Sequence, residues 1–486
     1  MELKVNRGDW IFWLFCMVTG IVAEEAFFRD DLGVSYFVFL AVFYTLFFWR
    51  FRSFPFSHQR LGYLILIIIW ILGACYYLYD TGLFHALNIL VIPGLVIFHL
   101  ALVTSPKKME WSNVFFLLYI LQRLFNGLRY NARFAGVFGR LFKNKTNSKN
   151  YDTWKKVLIG IAISVPVLFV VLNLLISADA QFERLLSGLP KIISFNPEFL
   201  VRLFIILIYG FGFFGFMQVL LQRNVQPLQR ENILKSVSLD GIIVLTVLIL
   251  LDLVYVLFVG VQFTYFFSGT LEAGYTYAEY ARRGFFELLF VTLINLSVVT
   301  VVIVFTKQIQ RYMKLAIRLS LTVVVLSSCV LLISAFMRMM MYENAYGFTF
   351  TRVLVHSFMI FLMIIFAYTL LKIWLEKLAL FHFYFIASLL YYAGINVVNI
   401  DKIVVDLNID RYEETGKIDI NYLNNLSATG VLGLINLYEK EPNVQGLEEL
   451  LKQRKDEREY IHRDSWQSRN LTRDKAYEKL GDLKFD

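Results

Sequence analysis

Long apolar runs, broken by short charged stretches, recur along the first 395 residues of the chain. A helix that crosses a bilayer needs ~20 mostly apolar residues. Eleven segments meet or approach that length: 10–27, 34–49, 61–79, 83–103, 157–176, 199–221, 241–263, 285–305, 319–336, 353–371 and 378–395. The first two are short or run into charges. In lipid every backbone polar group must be satisfied within the segment, so runs of this kind are helices. The pattern predicts an all-α fold: a polytopic transmembrane helical bundle of about eleven spans in residues 1–395, followed by a small helical soluble domain in residues 396–486.

The segment 111–150 departs from this pattern. Leu117, Leu121, Leu124, Leu128, Phe134, Phe138 and Leu141 recur at helical spacing, with Arg123, Arg129, Arg133 and Arg140 between them. Only about ten apolar residues precede Gln122 and Arg123, too few to span. An amphipathic helix on the cytoplasmic interface fits. A span here would put the Lys-rich stretch 143–156 outside, against the charge rule. Whether 111–129 spans or lies in the interface stays open at this point.

The tail reads as several short helices. Asp419 is placed to cap one of them. Ser427 is placed to cap another, carrying Val431, Leu434, Ile435 and Tyr438. Pro442 punctuates, and Leu447, Leu450 and Leu451 lead into a charged helix through Arg458.

Composition sharpens the assignment. The 486 residues are 58% hydrophobic and only 17% charged, which a soluble fold of this size does not accommodate. The net charge is +9, yet from residue 395 onward 14 Lys/Arg face 18 Asp/Glu, leaving 33 against 20 in the membrane part. Every second loop is basic: Lys4 and Arg7; Arg50, Arg52 and Arg60; Lys107 and Lys108; Arg223, Arg230 and Lys235; Lys307, Arg311, Lys314 and Arg318; Lys372 and Lys377. The alternate loops carry Glu24, Glu25, Asp30, Asp31, Asp80, Asp179, Glu183, Glu272, Glu279 and Glu343. The positive-inside rule then puts the N-terminus in the cytoplasm and the tail outside. Glu24 and Glu25 follow the first apolar run with no small-residue cleavage site, so that run reads as retained. No basic run is interleaved with exposed aromatics, which argues against nucleic acid. The expected partner is the lipid bilayer, with a protein partner open to the tail; oligomeric state is not legible. Cys16, Cys75 and Cys329 all lie in apolar runs, and no disulfide is expected.

Enzyme signatures are missing: no phosphate-binding Gly-rich loop, no zinc-protease helix and no nucleophile elbow. No metal site or cofactor is expected. His58, His85, His99, His356, His382 and His462 show no metal-ligand spacing and read as structural. Gly210, Gly212 and Gly215 form a small-residue patch suited to close helix packing. Asp252 sits well inside the 241–263 run. An intramembrane carboxylate is either a proton or cation site or half of a buried pair. The densest signal is Tyr275-Thr276-Tyr277-Ala278-Glu279-Tyr280-Ala281-Arg282-Arg283-Gly284-Phe285-Phe286-Glu287. In a helix, Glu279, Arg283 and Glu287 share one face. They form either an interfacial ladder or, with Arg282, Arg338, Glu343 and Asp179, a polar site at the outer face.

The run 275–289 resembles the hallmark of an uncharacterised bacterial membrane family, domain of unknown function 4173, related to a sister family numbered 4153. Ser177-Ala178-Asp179-Ala180-Gln181-Phe182 is similar to its pattern. So are Arg338 with Tyr342, Glu343, Ala345, Tyr346 and Gly347, and the stretches 410–427 and 466–476. The resemblance implies a bacterial inner membrane and supplies no reaction, substrate or cofactor. Three functional classes stay open: transport or an envelope accessory role, a membrane enzyme acting on a lipid or envelope substrate at the outer face, and a sensor or scaffold with a partner-binding tail.

Overall fold

The computed structural model describes residues 5–143, 160, 164, 168, 171, 175, 197–222, 239–262, 285–306, 310–460 and 465–485. Among them every regular element is helical. The apolar part comprises α1 (Arg7–Phe27), α2 (Val34–Arg50), α3 (Gln59–Leu78), α4 (Gly82–Thr104), α5 (Val114–Lys143), α6 (Pro197–Leu220), α7 (Gly241–Val261), α8 (Phe285–Phe305), α9 (Arg311–Tyr346), α10 (Phe350–Trp374) and α11 (Leu380–Val397). Nine of these described helices, all but α2 and α5, are long and apolar enough to cross a membrane. Helix α2 is apolar but only 17 residues long. The span expected at 157–176 lies largely outside the described residues. The chain folds as two compact units, residues 1–59, 97–109 and 117–225, and residues 60–96, 110–116 and 226–486.

In the first unit α1 and α6 run antiparallel. Their contact is close because a Cβ on Gly20 would stand 2.6 Å from the Ile206 carbonyl oxygen, and one on Gly210 would stand 2.6 Å from Met17. Of the glycine patch, Gly210 and Gly215 meet neighbours in this way, and Gly212 faces open space. Phe12 packs on Phe214 at 5.8 Å between ring centroids. Helix α5 lies along the last turns of α6. Its Arg123 is buried and donates to the carbonyls of Val219 and Gln222, both at 3.0 Å. Those carbonyls lie at the helix end, where intrahelical donors run out, and the guanidinium adds a donor to each, beside the Gln222 N–H that also reaches Val219 O. Asn131 donates to the Phe211 carbonyl, further back along α6, at 2.7 Å.

In the second unit α7, α8 and α10 pack on α9 around Leu248, Val299, Val324, Val325, Ala335 and Phe366. The 36 residues of α9 reach about 54 Å, against a hydrocarbon core of ~30 Å. Its polar ends therefore extend beyond the apolar stretch that hydropathy picks out. Gly347 ends it at φ +84°, a left-handed turn that favours glycine.

The tail comprises α12 (Ile400–Thr415), α13 (Ile420–Asn424), α14 (Ala428–Lys440), α15 (Leu447–Tyr460) and α16 (Leu471–Asp482). Leu434, Ile435, Leu447 and Leu451 centre its core. Asp419 accepts from Tyr422 N and Ser427 from Thr429 N, the caps their positions predict. Asn470 caps two helices at once. Its Oδ1 accepts from Thr472 N and Arg473 N, opening α16. Its Nδ2 donates to Tyr76 O at 2.9 Å and Tyr79 O at 2.6 Å, closing α3. Asn408 bonds both backbone groups of Phe348, and Tyr422 OH accepts from Phe350 N at 2.8 Å. The tail thus sits on the α3–α4 and α9–α10 turns, at one end of this unit.

Candidate functional site

Polar side chains line up along α9 where it meets α7 and α8. Asp252 and Tyr255 on α7 and Gln262 at its C-terminal cap recur on one helical face. At the first level Ser320 Oγ donates to Asp252 Oδ2, and the other carboxylate oxygen is buried with no hydrogen-bond partner. At the second, Tyr255 OH donates to Asn295 Oδ1 at 2.5 Å, and Asn295 Nδ2 donates to Ser328 Oγ at 2.9 Å. At the third, Ser334 Oγ donates to Gln262 Oε1 at 2.8 Å. Eight and then six residues separate these levels on α9, about 12 and 9 Å. Helix α7 is the most apolar of the described spans, so its carboxylate is costly and calls for a reason.

Near its tail-facing end α9 carries Arg338 and Glu343, both buried. Glu343 Oε2 lies 3.1 Å from His356 Nδ1 on α10. His356 Nε2 lies 3.4 Å from the Phe336 carbonyl. The ring thus faces an oxygen acceptor at each nitrogen. Glu343 Oε1 is buried without a hydrogen bond. Arg352 stands 4.1 Å over the Tyr342 ring and donates to Gly347 O, closing the turn above.

Of the residues singled out in the sequence, Asp252, Arg338 and Glu343 lie on this α7–α9 assembly. Glu287 is exposed in the first turn of α8. Asp179, Glu279, Arg282 and Arg283 lie outside the described residues. His356 was missed. Read alone it is a structural histidine, and only the α9–α10 hairpin brings it to Glu343. His382 packs edge-on against Trp111 at 4.3 Å. Among the described residues no group of three or more His, Cys, Asp or Glu side chains is arranged to hold a metal.

A further carboxylate sits where the tail meets the bundle. Asp401, 2% exposed, accepts from Thr81 Oγ1 at 3.2 Å. Burial pushes its carboxyl up to about 6, against the opposing hydrogen bonds from Ser427 and Thr81 and with help from Asp80.

Nine described apolar helices, with polar chemistry confined to helix contacts and ends, define an integral, multi-pass membrane protein. Residues 66–437 match the family model described as domain of unknown function 4153 (DUF4153), and the chain belongs to that family. The motifs resemble family 4173, whereas the match is to 4153, so the family assignment is corrected to 4153. No curated protein and no solved structure matches the chain.

Proposed function

We propose that this protein works in the bacterial cytoplasmic membrane, with its N-terminus inside and its tail outside, and passes a small polar solute or cation along the α7–α8–α9 column. The observation that carries this reading is Asp252: a carboxylate inside the most apolar described span, held by a serine hydroxyl, with one oxygen open. A buried charge kept for structure is normally paired with an opposite charge. Asp252 has a neutral partner and an open acceptor, as a group that takes a transient cation requires. The Glu343–His356 pair continues the column toward the tail. The orientation is supported by Lys314, Arg318 and Lys372, which sit at the opposite end of the unit from the tail.

The test is flux. The full chain is reconstituted in liposomes and offered protons, alkali cations and a panel of small zwitterions. Wild type is expected to exceed empty vesicles for at least one, and Asp252→Asn to lose more than tenfold with insertion intact. Wild-type flux equal to empty vesicles throughout, or full flux in Asp252→Asn, overturns the reading. A changed envelope-lipid profile in a deletion strain without any flux points instead to an enzyme at the outer face, and crosslinking of the tail to one defined protein points to a scaffold.

A further inference from the structure

Away from the tail, two cavities of the second unit share a wall residue. One is an apolar groove of about 510 Å³ between α7 and α8, lined by Ile243, Val247, Phe290, Ile294, Val298 and Val302 among others. The other is a polar pocket of about 420 Å³ that includes Thr306, Lys314, Arg318, Lys372 and Glu376. Val302 lines both. The groove follows α8 from Phe290 to Val302, a rise of about 18 Å, close to the ~15 Å depth of one leaflet. Its walls include Ile243, Phe290 and Ile294, all well exposed on the protein surface.

The polar pocket beside it is built around charge. Lys314 Nζ stands 2.6 Å from Glu376 Oε1, Arg318 pairs with the same oxygen, and Lys372 Nζ donates to the Glu376 backbone carbonyl at 2.5 Å. Two cations thus converge on a single carboxylate and a third on the backbone carbonyl of the same residue, leaving an excess of two positive charges among the described lining residues. The hydrogen bonds from Lys314 and Arg318 hold the exposed Glu376 carboxyl below the usual carboxylate range. Thr306 Oγ1 lines the same pocket, buried and without a hydrogen-bond partner. An open hydroxyl beside excess cations is a donor set for phosphate oxygens. Basic pockets between helix ends are also where anionic headgroups bind.

We propose that this composite cavity is a binding site for an anionic phospholipid. One acyl chain lies in the α7–α8 groove, and the phosphate sits among Lys314, Arg318, Lys372 and Thr306. The inference stands apart from the solute passed by the column, since neither Asp252 nor Glu343 lines either cavity.

Lipid retention tests it. The full chain is extracted in mild detergent, and bound lipid is counted by native mass spectrometry after exchange with phosphatidylglycerol or phosphatidylcholine. Wild type is expected to keep phosphatidylglycerol at least tenfold better than phosphatidylcholine. The combined Lys314→Gln, Arg318→Gln, Lys372→Gln protein should lose that preference, and Val298→Trp, which fills the groove, should lose retention with the basic pocket intact. Glu376→Gln removes the competing carboxylate from an exposed position and should raise retention two- to threefold, which keeps the test decisive if a groove variant misfolds. Equal retention of phosphatidylcholine would show annular lipid only. Thermal stabilisation by glycerol phosphate or inorganic phosphate as large as that by the diacyl lipid would show a free-anion site. Unchanged or lower retention in Glu376→Gln would likewise overturn the proposal.

Discussion

In the first unit Asp9 is held by Arg50 at 2.6 Å and by Gln218 at 3.0 Å, and Glu24 stands 3.7 Å from both Arg29 and Arg202. In the second unit, among the described residues, Asp252 accepts from a serine hydroxyl, and Glu343 has a histidine on one oxygen and no hydrogen bond on the other. Both units hold acids among apolar helices, but in the first each stands beside a guanidinium, at 2.6 Å for Asp9 and 3.7 Å for Glu24, although Glu24 Oε1 makes no hydrogen bond. Closed pairs stabilise geometry: breaking one strands a charge, so they hold helices in register. Open acids leave valence for something that is not part of the chain. The comparison therefore separates a unit organised for packing from one that keeps polar capacity in reserve.

The largest expected effect is in the first unit. Arg50→Ala leaves Asp9 with only the neutral donors Gln218 and Asn6 N and removes the cation over the Phe12 ring. It should cost about 3 kcal/mol of stability, the low end for breaking a buried pair because both partners keep some solvent contact. Asp252→Asn, which keeps an acceptor for Ser320, should cost under about 1 kcal/mol. Thermal unfolding in detergent checks both. Comparable losses would erase the distinction between closed and open acids.

The tail junction sharpens it next. Asp401 is buried and its carboxyl lies at about 6, whereas in a released tail it falls to the ordinary carboxylate range. Between about pH 4 and pH 6 the docked state holds a proton that the released state has lost. Docking is therefore strongest below pH 4, weakens as pH rises through that window by on the order of 2–3 kcal/mol, and is flat above it. Protease release of the tail, followed against pH, should show this slope in wild type and none in Asp401→Asn. A slope of opposite sign would mean that the carboxylate, not the acid, is the docked form.

Smaller still is the double cap. Asn470→Ala removes the N-cap of α16 and the two bonds that close α3, and should cost about 1–2 kcal/mol. Proteolysis between α15 and α16 should speed up without change in the apolar helices. Loss of the whole fold would show the tail to be more than a cover.

The sequence reading recovers the helices where burial in lipid alone decides them, because ~20 apolar residues admit few other structures. It fails where a helix outlasts its apolar stretch. The expected span 319–336 is the middle of a 36-residue helix, since Arg338 and Glu343 continue it under cover of neighbouring elements. Arg123 reads as part of a polar face, yet it is buried on carbonyls of a helix end some hundred residues further along. No local pattern encodes that pairing. Asp252 was legible as a lone intramembrane acid. Its partner Ser320, the Asn295 level and His356 were not, because each depends on which helix stands beside which. Asn470 announces one cap by its position before α16 and conceals the other, which exists only once the tail docks.

The central claim, that the column of the second unit opens to water while the packing of the first does not, is tested most directly by thiol accessibility. With Cys16, Cys75 and Cys329 replaced, single cysteines are placed at Ser320 and Ser334 on the column and at Thr19 and Ser35 in the first unit, all buried positions. In native membranes a small charged methanethiosulfonate reagent is expected to modify Ser320→Cys and Ser334→Cys at least tenfold faster than Thr19→Cys and Ser35→Cys. Equal, slow reaction at all four positions would contradict the account.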